Sequence, residues 1–256
     1  MPDEKPTLIR RETDAGPTAR IAMWSGPRNL STALMYAFAS RGDCAVWDEP
    51  FYAAYLSATG IPHPMAAEVI AAGLADAADV ASACLGPIPQ AKSLFYQKHM
   101  TLHMIPAFHR TFLQGLTNVF LIRHPARVVA SYAQKREHPT LADIGFVQQA
   151  ELFDQVADHL GHAPLVIDSA NIRANPMKSL QSLCIALGIP FTQKMRRWPQ
   201  GPKPYDGVWA PHWYNAVHAS TGFGDPEGPL PELTGDFARL VDQALPAYEA
   251  LARFRL

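Results

Sequence analysis

Five short apolar runs punctuate the chain: Ile21-Ala22-Met23-Trp24, Ala45-Val46-Trp47, Ser93-Leu94-Phe95-Tyr96, Val119-Phe120-Leu121-Ile122 and Leu165-Val166-Ile167. None alternates apolar with polar residues, which is the pattern of strands covered on both faces of a parallel sheet. Helix-like stretches lie between and after them, at 30–40, 65–83, 105–114, 126–136, 144–160 and 177–187. Strand and helix in alternation predict one α/β domain, a central parallel sheet flanked by helices in three layers. Residues 1–19 carry Pro2, Pro6, Gly16 and Pro17 among charges without either hydrophobic period, and read as a flexible tail before a single domain at 20–256. Gly188-Ile189-Pro190 ends the sixth helical stretch. Residues 197–229, rich in Pro, Gly and Trp, then predict a long ordered loop with a short helix near 211–219, before a terminal helix at 233–253.

Composition narrows the class of partner. With 256 residues, 48% of them hydrophobic, the chain can build a sizeable core. Lys and Arg total 22 against 23 Asp and Glu, a net charge of −1, so no global field gathers nucleic acid or acidic membrane. Any anion site has to be local. Three cysteines without CxxC spacing argue against a disulfide framework or a thiolate zinc site and for a reducing, cytoplasmic location. The N-terminus has charge and proline where a signal peptide needs an apolar core. No run approaches the ~18 apolar residues of a membrane helix. The protein is expected to be soluble and unexported.

Two strand-to-helix turns carry the candidate chemistry. The first reads Trp24-Ser25-Gly26-Pro27-Arg28-Asn29-Leu30-Ser31-Thr32. Gly26 lets backbone approach a phosphate, Arg28 supplies a cationic fork, and Ser31 and Thr32 bring hydroxyls to a helix N-terminus, where free N–H groups collect. An ordinary N-cap at Asn29 or Ser31 is the structural alternative. The second glycine and the Gly-Lys pair of a Walker A loop are missing. In the second turn a buried strand ends on Arg123-His124-Pro125, with Pro125 suited to open a helix and Ser131 two turns along it. Arg123 and Ser131 can converge on one anion if that helix leans over the strand tip.

The pattern Arg28-x-x-Ser31-Thr32 after a first strand, with Arg123 and Ser131 about ninety residues later, resembles the sulfotransferases that use 3′-phosphoadenosine 5′-phosphosulfate (PAPS). The resemblance implies their P-loop-like fold and a metal-free transfer of a sulfuryl group from PAPS to a hydroxyl or amine. It assigns the 5′-phosphosulfate to Gly26, Pro27, Arg28, Asn29, Leu30, Ser31 and Thr32, and the 3′-phosphate to Arg123 and Ser131. Two positions depart from the family: its loop lysine is Arg28 and its loop glycine is Leu30. A cationic clasp over the nucleotide falls by the same resemblance on residues 195–203, with Arg197 and Gly201 near phosphate and Trp198 either stacked on adenine or packed on the core.

Sulfuryl transfer needs a base for the acceptor's proton and cations for the moving and departing charge. Asp48-Glu49-Pro50 ends the second run, and resemblance to bacterial and protein-tyrosine sulfotransferases makes Glu49 the first candidate base. Gln97-Lys98-His99 ends the third and resembles the Lys-x-His of cytosolic sulfotransferases with the intervening residue absent, which implies Lys98 as a candidate to stabilise the sulfuryl group and His99, turned to the opposite face by the one-residue shift, as the second candidate base. Phe51, Tyr52, Tyr55 and Tyr96 offer either an acceptor pocket or core. His99 and His103 are four apart, but His-Met-Thr-Leu-His lacks a glutamate and chance pairs among ten histidines are common, so no metal is assigned. Asp168, ending a Walker-B-like strand, reads as a helix cap. A P-loop kinase using magnesium and ATP and a non-catalytic nucleotide-binding module are the rival readings. Segments of this kind also occur fused to pyridoxal-phosphate aminotransferases, and no Schiff-base lysine is marked here.

Overall fold

The computed structural model describes residues 19–134 and 139–256. In it the five apolar runs become β1 (Ala19–Ser25), β2 (Cys44–Asp48), β3 (Leu94–Met100), β4 (Thr117–Ile122) and β5 (Leu165–Asp168). All pair in parallel, in the order β2-β3-β1-β4-β5. Their lack of alternation follows from burial on both faces. Ile21, Met23, Tyr96, Leu121 and Ile167 pack against Leu34, Met35 and Phe38 of helix Ser31–Ala39 and Leu180 and Leu183 of Pro176–Ala186. Ala22, Trp24, Phe120 and Val166 meet Leu152, Phe153 and Val156 of Phe146–Leu160 on the other side. Each such large side chain contributes roughly 1.5–3 kcal/mol by leaving water. The expected parallel sheet with flanking helices is the observed architecture.

Several helices differ from the periodicity. The stretch 65–83 is two helices, Ala66–Ala72 and Ala77–Leu85, because Asp76 caps the second by accepting N–H bonds from Ala78 (2.7 Å) and Asp79 (3.2 Å). Most of 105–114 is irregular, and only Thr111–Gly115 coils, as a 3-10 turn. Asn118 fixes it by donating to the Leu113 carbonyl at 2.8 Å. Helix Phe146–Leu160 is preceded by a separate turn, Leu141–Ile144, with Gly145 left-handed (φ 71°) between them. Helices Tyr52–Thr59 and Ser169–Ala174 follow the acidic ends of β2 and β5 and stand outside the six periodic stretches. Asp168 caps the latter, accepting from Ala170 N at 2.8 Å, which is the structural role expected of it. The segment 197–229 holds two short helices, Ala210–Trp213 and Asn215–His218, and Gly235–Ala252 is the terminal helix. Of the tail expected at 1–19, residues 1–18 lie outside the described residues and Ala19 opens β1, and the expected helix end beyond residue 134 also lies outside them. Among those described, no single helix is long and apolar enough to cross a membrane.

β1 is central, with β2 and β3 on one side and β4 and β5 on the other. The chain changes side after β3, so the carboxyl ends of β3, β1 and β4 frame a switch-point crevice, where ligands of parallel sheets bind.

Candidate active site

At that edge a cavity of about 650 Å³ is lined by Pro27 to Ala33, Glu49, Lys98, Arg123 and Ser131, among others. The first turn reaches it by strained backbone. Arg28 (φ 62°) and Leu30 (φ 70°) are both left-handed, a conformation that costs a side-chain-bearing residue about 1–2 kcal/mol. Leu30 is the N-cap of Ser31–Ala39 and offers no side-chain cap, so the first N–H groups of that helix face the turn without one. Gly26 has no room for a side chain: a Cβ there would lie 2.6 Å from the Ile144 carbonyl oxygen. Asn29 is buried and donates to the Leu121 carbonyl at 3.4 Å, tying the turn to β4, while its Oδ1 has no protein partner.

The two turns meet. Arg28 Nε donates to Ser131 Oγ at 2.9 Å, and Arg123 Nη1 donates to the Arg28 carbonyl at 2.7 Å. Arg123, just after β4, and Ser131, on helix Pro125–Ala133, thus both contact Arg28 and line the same cavity. Burial and the nearby Arg123 charge both lower the pKa of Arg28. Arg123 Nε is buried without a protein partner, and Arg123 Nη2 reaches Glu227 Oε1 at 2.5 Å.

Beside this cationic end sits a buried acid–base cluster. Asp48 and Lys98 are register partners on β2 and β3, so their side chains leave the sheet on the same face. Lys98 Nζ donates to Asp48 Oδ1 (2.8 Å), Glu49 Oε1 (2.5 Å) and Tyr214 Oη (2.9 Å). Tyr214 in turn donates to Asp48 Oδ2 at 2.7 Å. Glu49 is itself left-handed (φ 44°), its N–H donating to the Lys98 carbonyl at 2.8 Å, which turns its carboxylate back onto the sheet edge. Burial pushes the Glu49 carboxyl above its ordinary range; the Lys98 ammonium pulls it back and Asp48 adds to the rise. For Lys98 burial opposes the charge, but the two carboxylates outweigh it and hold the ammonium above its usual pKa.

The Sulfotransferase domain family matches residues 19–254. This chain belongs to that family. Two Arabidopsis thaliana proteins, branched-chain-amino-acid aminotransferase-like proteins 2 and 1, are 34% identical to it over 232 and 231 residues. The matches cover 90% of this chain and 41% of each plant protein, so the chain spans about two fifths of the length of these relatives. The solved sulfotransferase domain from the curacin biosynthetic pathway shares the fold, with a TM-score of 0.52 and 16% identity over 89% of this chain and 98% of that one.

In this sulfotransferase domain the cavity gathers Pro27, Arg28, Asn29, Leu30, Ser31, Thr32, Glu49, Lys98, Arg123 and Ser131, with Gly26 immediately behind. His99 is elsewhere: it stacks on Trp24 (4.3 Å between rings), faces Gln97 at 3.1 Å and does not line the cavity. Burial and the Lys98 charge lower its pKa to about 3. Two histidines do line the cavity, His63 and His103, the latter 4.0 Å from Glu49 Oε2 and stacked between Tyr52 and Tyr55. Arg197 and Gly201 do not line the cavity either. Trp198 is buried against Tyr36 and Phe223, so it packs the core, and Phe223 takes the lining position. Tyr52 and Tyr55 line the cavity, whereas Phe51 and Tyr96 are core. Sequence reasoning missed Arg173, Tyr214 and Glu227, which come from segments without a diagnostic pattern. The Asp48–Lys98 pairing had one available signal, since both residues end predicted strands.

Proposed function

We propose that this domain transfers a sulfuryl group from PAPS to a hydroxyl or amine of a small molecule, with Glu49 as the base. The observation that carries the reading is the Arg28–Ser131 contact, which joins two anion-binding turns at one cavity that also holds a carboxylate of raised pKa. The residues fit such a donor. Orphaned polar atoms at Asn29 and Arg123, a turn that excludes a Cβ at Gly26, and a carboxylate already seated on the arginines all suit an anion with two charged ends.

PAPS, when bound, supplies the sulfuryl group and departs as 3′,5′-ADP. Arg28 and the N–H groups at 31–33 hold the phosphosulfate end and balance charge on the leaving phosphate. Arg123 and Ser131 hold the 3′-phosphate. Glu49 takes the proton from the acceptor, and its raised pKa brings it closer to the working pH of a general base. Lys98, with its three donors spent on Asp48, Glu49 and Tyr214, orients Glu49 rather than reaching for the sulfuryl group. Tyr52, Tyr55 and Trp213 line the part of the cavity left for the acceptor body.

Calorimetric titration with 3′,5′-ADP, 5′-AMP and ATP plus magnesium tests the donor. Preference for 3′,5′-ADP without magnesium is expected, and Arg123→Ala should erase most of it by removing a contact worth roughly 1.5–3 kcal/mol. Tighter binding of ATP with magnesium would point to a kinase. Glu49→Gln should leave 3′,5′-ADP affinity nearly unchanged and lower transfer from PAPS by ~10²–10⁴-fold across a panel of hydroxyl and amine acceptors. Full turnover by that variant would remove Glu49 from the chemistry. Binding by the wild type without any turnover would favour a module.

A further inference from the structure

Glu227 lies in Asp225-Pro226-Glu227-Gly228, a segment outside helices and strands, yet its side chain is only 3% exposed. Three arginines from three places enclose it. Its Oε1 is 2.5 Å from Arg123 Nη2 and 3.5 Å from Arg173 Nη1, and its Oε2 is 2.9 Å from Arg127 Nε. The same arginines clamp the backbone on either side. Arg173 Nε donates to the Asp225 carbonyl at 2.8 Å, and Arg127 Nη2 donates to the Gly228 carbonyl. Just upstream, Gly222, Phe223 and Gly224 line the cavity, and Gly224 is left-handed (φ 76°), with Arg173 3.2 Å from where a Cβ would stand.

A carboxylate and a phosphate use the same guanidinium fork, so Glu227 occupies the donors that the proposed 3′-phosphate needs. Arg123 Nη1 donates to the Arg28 carbonyl and Nη2 to Glu227, and its buried Nε has no protein partner. A phosphate near −2 offers more charge and more acceptor oxygens than a carboxylate. Set beside a retained Glu227 on one guanidinium, it would meet like charge at contact distance. We propose that Glu227 is a built-in competitor for the phosphate site. It holds Arg123, Arg127 and Arg173 together in the free protein and is displaced, with the strap at 222–228, when a phosphate binds. Glu227 thereby lowers affinity for every phosphate at this position and opens the strap only for ligands that carry one. The identity of that phosphate as the 3′-phosphate of PAPS rests on the function proposed above; the competition itself does not.

The test is titration of wild type, Glu227→Gln and Glu227→Ala with 3′,5′-ADP, 5′-AMP and inorganic phosphate, joined to hydrogen exchange of the wild type across 222–228. Both variants should bind 3′,5′-ADP about tenfold or more tightly than wild type, a gain of ~1.4 kcal/mol, and 5′-AMP within about twofold. Inorganic phosphate should gain in the same direction as 3′,5′-ADP. In the wild type, 3′,5′-ADP should speed exchange at 222–228 and 5′-AMP should not, a readout independent of variant folding. Equal or weaker binding of 3′,5′-ADP and phosphate in both variants would overturn the proposal, because the carboxylate would then be steadying the arginines for the ligand. If neither the wild type nor either variant prefers 3′,5′-ADP to 5′-AMP, the PAPS reading fails. The phosphate arm still decides the competitor: a gain in the variants upholds it and no gain removes it.

Discussion

Replacing Lys98 by Met tests whether the acid–base cluster is organised by one buried ammonium. Its contacts to Asp48 and Glu49, at 2.8 and 2.5 Å, are each worth about 6 kcal/mol of Coulomb attraction at an effective dielectric near 20. Desolvation of the ammonium offsets much of that, and removing one partner of a buried ion pair typically costs about 3–5 kcal/mol net. Protonation sets the ceiling. A glutamate of ordinary pKa near 4.3 can be neutralised at pH 7.5 for about 4.4 kcal/mol, and at pH 5.5 for only about 1.6 kcal/mol. In Lys98→Met the folded-state pKa of Glu49 lies still higher, so the penalty is full above that pKa and fades as pH falls below it. Urea unfolding should therefore show a loss of about 3–4 kcal/mol at pH 7.5 and about 1–1.5 kcal/mol at pH 5.5. Adding Glu49→Gln to Lys98→Met should restore part of the loss at pH 7.5. A loss independent of pH, or below about 1 kcal/mol at pH 7.5, would refute an uncompensated carboxylate as the cause.

Three further outcomes follow from the same geometry. The acid limb of the pH–rate profile with PAPS should lie above the ordinary glutamate value, since a protonated Glu49 cannot accept a proton, and Lys98→Met should move any residual limb higher still. His99, whose pKa falls to about 3 in the fold and is near 6.5 when unfolded, gives stability that is full above about pH 6.5 and lost below it. Between pH 7.5 and 5.5, His99→Gln should consequently lose about 1.4 kcal/mol less than wild type in urea unfolding. Gly26→Ala, pressing a methyl to 2.6 Å from the Ile144 carbonyl oxygen, should cost about 1–3 kcal/mol by thermal melting and weaken 3′,5′-ADP binding measured by titration.

Much of the scaffold is written locally. A strand covered on both faces must be apolar throughout, so Val119-Phe120-Leu121-Ile122 and its counterparts announce a parallel sheet before any partner is known. The two strand-to-helix turns are also local, because their glycine, arginine and hydroxyl residues lie next to the strand ends they follow. Helix 105–114 failed for the complementary reason. Its apolar residues satisfy a helical count, but Asn118 takes up the Leu113 and Leu116 carbonyls and the segment settles as a 3-10 turn.

Only the tertiary structure decided which side chains share the cavity. The alternation of β3 sends Lys98 to the cavity and His99 onto Trp24, a matter of one residue of register that the third run by itself leaves open between them. Trp198 was equally free to stack on a ligand or fill the core, and the space between Tyr36 and Phe223 settled it. Glu227 is the extreme case. Nothing around it in the sequence marks an acid for burial. It becomes an anion ligand because strand β4, the helix after it and the helix after β5 bring three arginines together around an otherwise irregular segment. Sequence determines what lies along one element through periodicity; which elements meet, and with what charge, depends on packing between residues more than a hundred positions apart.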